Sequence, residues 1–302
     1  MSSRPPSDDK SVSRSKVTVL DFQAKCDRAE PISMITAYDF PTARAADAAG
    51  VDALLVGDSL AMVVLGHPNT LSVTMEEMLH HARAVSRGAR SALLVGDMPF
   101  LSYQADTAEA VRNAGRFLKD AGMDAVKLEG GREFAPVVET IVRAGIPVQG
   151  HIGLMPQSLR RQGGFKVQGR TAVAARGLLD DALALEDAGC FCVVLEGVPA
   201  RLGAFITERL RIPTIGIGAG AGTDGQVLVA DDVLGLSGPV PHFAKRYADL
   251  GVAMVDAIAA FRREVTDRSF PAAEQEYGLP DEEWRAFLAS TGRGLRAVPA
   301  AR

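Results

Sequence analysis

Short apolar runs, each ending in glycine or a polar residue, recur along most of the chain, with stretches of helical periodicity between them. The hexapeptide ALLVGD occurs twice, at 53–58 and at 92–97. Runs of this length that are apolar almost throughout favour strands buried on both faces, as in a parallel sheet. The pattern predicts eight strands, within 32–38, 52–58, 92–97, 125–130, 147–151, 191–197, 213–220 and, more weakly, 232–238.

The stretches between these runs carry helix signals. Thr74 and Glu77 form a capping-box pattern, which predicts a helix over 75–88. A stripe of apolar residues predicts another helix over 107–121, followed by a glycine at which it stops. Shorter helical patterns cover 133–144, 178–188, 202–210, 252–265 and 281–289.

Eight strands that alternate with helices predict an α/β protein built as a single (β/α)8 barrel, with a doubly wound open sheet as the alternative architecture. We expect residues 1–16, which are polar, to form a disordered leader. The barrel is expected to form the catalytic domain over 17–267. Residues 268–302 are expected to form a partly flexible C-terminal appendage.

The overall composition narrows the range of partners. The 302 residues carry a net charge of −4 at pH 7, so charge gives no reason to expect nucleic acid or an anionic membrane as a partner. No apolar run is long enough for a transmembrane helix, and the polar N-terminal stretch lacks the apolar segment of a secretory signal. Three cysteines do not suggest a disulfide framework, which favours a reducing, cytoplasmic compartment.

The polar residues that end the predicted strands are the candidate functional residues. In a (β/α)8 barrel the carboxyl ends of all strands meet at one face, where active sites lie. Asp58, Asp97, Glu129 and Glu196 end four of the runs. Carboxylates gathered together repel one another, and hard oxygen ligands without a histidine cluster point to Mg²⁺. We expect two or three of them to hold the metal and one to act as acid or base, whereas turn chemistry alone would explain any single aspartate.

Three further residues at these strand ends are candidates. Lys127 stands two residues before Glu129 in AVKLEGG, so both side chains lie on one face of a strand. This lysine either forms a structural ion pair with Glu129 or holds a substrate carboxylate or an enolate oxygen. His151 ends the fifth run and is a candidate for catalysis or substrate contact, with a structural role as the alternative. Tyr38, at the end of the first run, is a candidate for substrate or loop contact.

Two glycine-rich segments also stand out. Residues 151–170 are basic and too long for an ordinary connection from strand to helix, which indicates either an active-site loop that faces an anionic cosubstrate or a solvated insertion. Gly220, Gly222 and Gly225 match a dinucleotide fingerprint only weakly, because no clear helix opens directly after them. Close backbone packing or an oxyanion cradle is the better interpretation.

Eight stretches, in order along 30–275, carry a resemblance to a known family. They are ITAYD (35–39), LLVGDSLAMVVLGHPNTLSVT (54–74), GDMPF (96–100), VKLEGG (126–131), PVQGHIGLMPQS (147–158), GGFKVQGR (163–170), LEGVP (195–199) and IPTIGIGAGAGTDGQVLV (212–229). With these stretches the chain closely resembles the ketopantoate hydroxymethyltransferase family. Several such stretches in order are far more specific than any single motif.

The resemblance implies a (β/α)8 barrel of the phosphoenolpyruvate/pyruvate type and a homodecamer. It implies transfer of a one-carbon unit from 5,10-methylenetetrahydrofolate to 3-methyl-2-oxobutanoate, which gives 2-dehydropantoate for pantothenate and CoA synthesis. Carried over by motif, the Mg²⁺ ligands are Asp58, Asp97 and Glu129. The substrate contacts are Asp58, Ser59, Asp97 and Lys127, and the base is Glu196.

One position departs from the family pattern, which often reads LECVP where this chain has LEGVP. We expect Gly197 to leave the base itself in place and to loosen its support. The alternative function is another Mg²⁺-dependent 2-oxo acid carbon–carbon lyase on the same barrel, which would need no folate. A non-catalytic binding protein that keeps the barrel is a further alternative, and the four carboxylates with Lys127 argue against it.

Overall fold

Eight parallel strands form a closed barrel in which each strand pairs with its neighbours in the sequence and β8 pairs with β1. The computed structural model describes residues 14–291. Because the barrel closes, the alternative of a doubly wound open sheet is excluded. The strands are β1 (Ile32–Thr36), β2 (Ala53–Val56), β3 (Leu93–Asp97), β4 (Ala125–Glu129), β5 (Val148–Gly153), β6 (Cys192–Glu196), β7 (Thr214–Ile217) and β8 (Gly225–Leu228).

Helices lie between most of these strands in the sequence. Within residues 14–291, four single-turn 3-10 helices, Thr70–Ser72, Arg132–Phe134, Pro156–Ser158 and Ala273–Gln275, lie between the longer elements. The α-helices are α1 (Val19–Asp27), α2 (Phe40–Ala48), α3 (Leu60–Val63), α4 (Met75–Gly88), α5 (Thr107–Ala121), α6 (Ala135–Arg143), α7 (Leu159–Gln162), α8 (Ala172–Asp187), α9 (Ala200–Thr207), α10 (Ala230–Leu234), α11 (Leu250–Asp267) and α12 (Asp281–Thr291).

The apolar runs become strands because both of their faces are buried. Every residue of β2, β3, β4 and β5 is buried, as expected for strands covered by helices on one side and by the barrel interior on the other. Alternate residues therefore belong to two cores. Met34, Val95 and Val194 pack inside the barrel, whereas Leu94 and Leu195 pack outward against the helices.

The strongest helix predictions are confirmed. Helix α4 begins with the predicted capping box, in which Thr74 and Glu77 each accept a hydrogen bond from the other's backbone N–H. Helix α5 spans the predicted residues and ends at Gly122, whose φ of 70° is the left-handed conformation that glycine adopts at little cost. Both helices bury an apolar stripe against the strands.

Two predicted boundaries were wrong. The eighth strand is not 232–238 but β8, which is short and interrupted by the exposed Gln226, so its apolar signal is weak. Residues of the predicted strand instead form α10, which ends at Gly235 with φ 69°. Helix α8 begins at Ala172, six residues before the predicted 178, because Thr171 caps it by accepting a hydrogen bond from Ala174 N–H.

The chain divides into one compact unit that ends at Tyr247 and a second that begins at Ala248. The second contains α11 and α12. No residue of α11 is buried, although Val252, Val255 and Ile258 are apolar. Residues 1–13 of the predicted leader lie outside the described residues, as do 292–302 of the predicted appendage. Among residues 14–291, no helix has the length and apolarity required to cross a membrane.

Replacing Gly96 with alanine is expected to destabilise the first unit by about 1–3 kcal/mol, because the added methyl group overlaps the ring of Phe117 on α5. Gly177→Ala on α8 is the matched control. A methyl group there meets no atom within 4 Å, so we expect a gain of up to about 1 kcal/mol from helix propensity. Urea unfolding of both variants tests this, and equal midpoints would contradict the close contact between β3 and α5.

Candidate active site

The strand ends meet around one cavity of about 870 Å³ at the carboxyl face of the barrel. The four carboxylates predicted from the sequence all line it, and we call Asp58, Asp97, Glu129 and Glu196 the carboxylate cluster. The other predicted residues that line the cavity are Ser59, Lys127 and His151.

Tyr38 is the one predicted site residue that does not line this cavity. It is buried, and its hydroxyl lies 2.8 Å from Ser59 Oγ. The tyrosine therefore fixes the side chain of Ser59, which itself faces the cavity. Its contact with a substrate or a loop stays a prediction.

The register of the parallel strands places these side chains beside one another. Asp97 pairs with Lys127 across β3 and β4, and Glu129 pairs with His151 across β4 and β5. Lys127 and Glu129, two residues apart, both face the cavity, as the alternation along a strand requires. This placement depends on the register of the strands, because a slip of one residue would turn each side chain to the opposite face of the sheet.

A buried ion pair lies at the centre of the cluster. Lys127 Nζ is 2.8 Å from Asp97 Oδ1, and both side chains are at most 5% exposed. The other oxygen of Asp97, Oδ2, accepts a hydrogen bond from the backbone N–H of Asp58 at 3.1 Å. Asp97 thus ties the end of β2 to the lysine of β4.

The buried carboxyl groups have strongly perturbed acidity. Burial, and then the charge of Asp97, raise the pKa of Asp58 to about 7. Burial and the charge of Asp58 raise the pKa of Glu129 well above its usual value. Burial alone would lower the pKa of Lys127, but the surrounding carboxylates outweigh it and keep the lysine charged. This face thus buries more carboxyl groups than cationic groups, and the raised pKa values follow from that imbalance.

His151 links Lys127 to the base candidate Glu196. Its Nε2 is 3.2 Å from Glu196 Oε2, and its Nδ1 is 3.4 Å from Lys127 Nζ. Burial and the nearby lysine lower the pKa of His151, which favours the neutral ring. A neutral ring that accepts from the lysine at Nδ1 carries its proton on Nε2, which lies close to Glu196 without the geometry of a hydrogen bond. Glu196 is the most exposed carboxylate of the cluster, with 15% of its side chain accessible.

Gln157 and Tyr103, which the sequence did not predict as site residues, support the carboxylate cluster through hydrogen bonds. Gln157 donates a side-chain hydrogen bond to Asp58 Oδ2 at 3.1 Å, and its backbone N–H donates to Glu129 Oε2 at 3.0 Å. Tyr103 lies with its hydroxyl 2.9 Å from both Gln157 Oε1 and the carbonyl oxygen of Glu129. Neither side chain titrates near neutral pH, so a search for charged residues overlooks them. The MPQS segment within the family-like stretch 147–158 was the available signal for Gln157.

Gly197, beside the base candidate, is held on both of its backbone groups. Its N–H donates to Ile217 O at 2.9 Å, and its carbonyl accepts from Gln168 N–H at 2.8 Å. Its φ is 57°, a conformation that glycine adopts more easily than any residue with a Cβ atom. The expected loosening of Glu196 by Gly197 is therefore not supported by the backbone geometry.

The segment 151–170 borders the cavity. It contains the end of β5, the 3-10 turn Pro156–Ser158 and α7, and its residues Phe165, Lys166 and Val167 line the mouth. The glycines of the weak fingerprint serve close packing instead. A Cβ atom at Gly222 would lie 2.7 Å from Ala204 on α9.

The sequence matches a family model over most of its length. The model for ketopantoate hydroxymethyltransferase matches residues 16–273. The 3-methyl-2-oxobutanoate hydroxymethyltransferase of Syntrophobacter fumaroxidans is 56% identical over 271 residues, covering 89% of this chain and 96% of that relative. The enzyme of the same name from Carboxydothermus hydrogenoformans is 54% identical over 268 residues, covering 88% and 97%.

Solved structures share the barrel at much lower identity. 2,3-Dimethylmalate lyase, a member of the PEP mutase/isocitrate lyase superfamily, matches with a TM-score of 0.56 and 17% identity over 91% of this chain and 95% of its own. Phosphonopyruvate hydrolase matches with a TM-score of 0.56 and 14% identity over 92% and 100%. These likenesses show the fold alone. The family model and the relatives instead span all eight strands and the carboxylate cluster, and the chain belongs to the ketopantoate hydroxymethyltransferase family.

Proposed function

We propose that this chain transfers a hydroxymethyl group from 5,10-methylenetetrahydrofolate to 3-methyl-2-oxobutanoate and produces 2-dehydropantoate. The observation that carries the proposal is the carboxylate cluster with Lys127 and His151 on the wall of one cavity. A 2-oxo acid has a weakly acidic C3–H, and its removal requires a base and a site that stabilises the enolate. The family to which the chain belongs supports this choice of substrates.

The residues present fit a bound Mg²⁺. Glu129 Oε1 is buried and has no hydrogen-bond partner among residues 14–291, and the cluster sets four carboxyl groups against the single ammonium group of Lys127. No three His, Cys, Asp or Glu side chains in that range form a ready-made metal cage. Mg²⁺ is commonly held by one or two carboxylates and completes its shell with water and substrate oxygens. By the family's motif, Asp58, Asp97 and Glu129 would hold the ion, directly or through its bound water, and the ion would polarise the 2-oxo acid and acidify its C3–H.

Lys127 and Ser59 would orient the 2-oxo acid above the cluster. The lysine is charged, buried and fixed by Asp97, so its Nζ can stabilise the negative charge that develops on the keto oxygen. Ser59 Oγ lies beside the Tyr38 hydroxyl and offers a polar contact to the substrate carboxylate. Both groups are preorganised, which reduces the free energy of reorganisation during the reaction.

Glu196 would act as the base. It takes the C3 proton, and the electron pair of the broken C–H bond forms the enolate. Protonation of one ring nitrogen of methylenetetrahydrofolate breaks its bond to the methylene carbon and leaves an iminium on the other nitrogen. The enolate C3 then bonds to that carbon, and the π electron pair of the C=N bond moves to nitrogen. Water hydrolyses the resulting C–N bond, supplies the hydroxyl group and releases tetrahydrofolate. The 3.2 Å contact with His151 orients the Glu196 carboxylate toward the cavity.

The exposed apolar face of α11 supports self-association, because contiguous apolar surface usually marks an interface. A homodecamer and a cytoplasmic location stay expectations that rest on the family. Neither expectation bears on the chemistry of the proposed reaction.

Glu196→Gln is expected to lose at least about 100-fold in the exchange of the C3 proton of 3-methyl-2-oxobutanoate in D₂O, because the amide cannot accept that proton. NMR with Mg²⁺ and without folate follows this exchange. Glu208→Gln, on the exposed end of α9, is the control and should exchange like wild type. Near-wild-type exchange in Glu196→Gln would refute Glu196 as the base.

Mg²⁺ is expected to stabilise the protein more at pH 8 than at pH 5. The pKa of Asp58 is raised from 3.8 to about 7, so between these values the metal-free folded state binds more protons than the unfolded state. Its free energy of unfolding therefore falls as pH rises through about 7, and a bound cation restores it. At a hundred times Kd the gain is about 2.7 kcal/mol, visible as a rise in Tm.

Asp58→Asn is the control for this experiment. It removes the titrating group, so the difference between the Mg²⁺-induced shifts at pH 8 and at pH 5 should become smaller. A wild-type shift that is the same at both pH values would contradict the role of Asp58 in holding the metal.

Gln157→Ala is expected to weaken Mg²⁺ binding about 10- to 100-fold, because Asp58 loses the side-chain hydrogen bond that orients it. The backbone contact to Glu129 remains available but is no longer fixed by the side chain. Calorimetric titration of Mg²⁺ in the presence of the 2-oxo acid measures the change. Gln168→Ala, on the same segment but with a side chain that donates to the carbonyl of Lys166, should bind Mg²⁺ normally.

A further inference from the structure

We propose that the outer part of the cavity, walled by Phe165, Val167 and Phe243, is the seat of the pterin ring of the folate cosubstrate, with Lys166 and His242 facing its anionic tail. This inference rests on the proposed function, since it assigns a place to the one-carbon donor of that reaction. All five residues line the same cavity as the carboxylate cluster.

The cavity is much larger than the 2-oxo acid requires. Its volume of about 870 Å³ falls in the range of about 300–1,000 Å³ that holds drug-sized ligands. A small branched 2-oxo acid above the carboxylate cluster fills only the inner part. The remaining space adjoins the point at which a one-carbon unit must meet C3 of the substrate.

The donor has to enter from the mouth, because the inner end is closed. Val194, Ile217 and Val227 pack beneath the cluster in the interior core of the barrel, and all are buried. A molecule larger than the 2-oxo acid can therefore reach the enolate only along the outer walls. Those walls include the apolar side chains of Phe165, Val167 and Phe243, which the inner end around the carboxylate cluster lacks.

Two phenylalanines give these walls aromatic faces. Phe165 is 62% exposed and Phe243 is 41% exposed, although both border an enclosed space. Phe243 packs against Gly218, the residue that follows β7, and a Cβ atom built on that glycine would lie 3.0 Å from the phenylalanine ring. Flat heterocycles stack on such faces, and each stacking contact contributes about 1–3 kcal/mol.

Basic residues at the rim of the cavity complement the negative charge of the folate tail. The p-aminobenzoylglutamate tail carries carboxylates, and Lys166, between Phe165 and Val167 in the sequence, is among the residues that line the cavity. His242 adjoins Phe243 on the opposite segment. A pterin between the phenylalanines would thus place its tail beside two basic side chains, which favours an anion there.

The test separates folate binding from enolate formation. Phe165→Ala, Phe243→Ala and Lys166→Ala are each titrated calorimetrically with tetrahydrofolate, in the presence of Mg²⁺ and the 2-oxo acid. We expect affinity for tetrahydrofolate to fall about 10-fold in each phenylalanine variant and about 3-fold or more in Lys166→Ala. The folate-independent exchange of the C3 proton should persist in all three, which shows that the inner site is folded.

Matched controls and a conservative variant sharpen the result. Phe205→Ala removes a phenylalanine that is also 41% exposed but lies on α9 outside the cavity lining, and Lys119→Ala removes an exposed lysine of α5. Both should bind tetrahydrofolate like wild type. Phe165→Tyr keeps the aromatic face and should restore most of the affinity lost in Phe165→Ala.

Two outcomes would overturn the assignment, and they are distinguishable. Unchanged tetrahydrofolate affinity in the phenylalanine variants, with C3 exchange intact, would place the pterin elsewhere and leave the proposed reaction standing. A wild-type protein that exchanges the C3 proton but does not bind tetrahydrofolate would refute the folate-dependent function itself, and the pterin seat with it.

Discussion

The active face of the barrel depends on one buried cation. Lys127 stays charged inside the protein because Asp97 and its neighbouring carboxylates more than compensate for the loss of water around it. Without this lysine, the carboxylates that surround it would face one another unshielded in a medium of low dielectric constant. The single lysine offsets only part of this cluster of carboxyl groups, and the divalent cation that we propose would offset the rest.

Most of the fold could be predicted from the sequence because its strands are buried on both faces. Such strands appear in the sequence as continuous apolar runs, and seven of the eight were placed correctly. The exception, β8, has four residues, one of them an exposed glutamine, and is held by pairing with β1 and β7 rather than by its own apolar content. Closure of the barrel stabilises β8, and no local pattern in the sequence indicates it.

The charged residues of the site could be predicted from the sequence for a different reason. Charged residues at strand ends are costly to bury, so Asp58, Asp97, Glu129 and Lys127 stand out against apolar surroundings. Gln157 and Tyr103 do not, because uncharged polar residues are common in loops and only their partners in space reveal what they do. The contact between His151 and Glu196 was equally hidden, since it depends on the register of β5 and β6.

Gln157 and Phe165 lie eight residues apart on the single segment that follows β5. One end of this segment holds Asp58 and Glu129 by hydrogen bonds, and the other end forms the wall of the outer cavity. If a molecule bound against the outer wall shifts this segment, it also changes the free energy of keeping the two carboxylates in position. Thermodynamic linkage makes this effect reciprocal, so metal and one-carbon donor would bind cooperatively through a stretch of backbone rather than through direct contact.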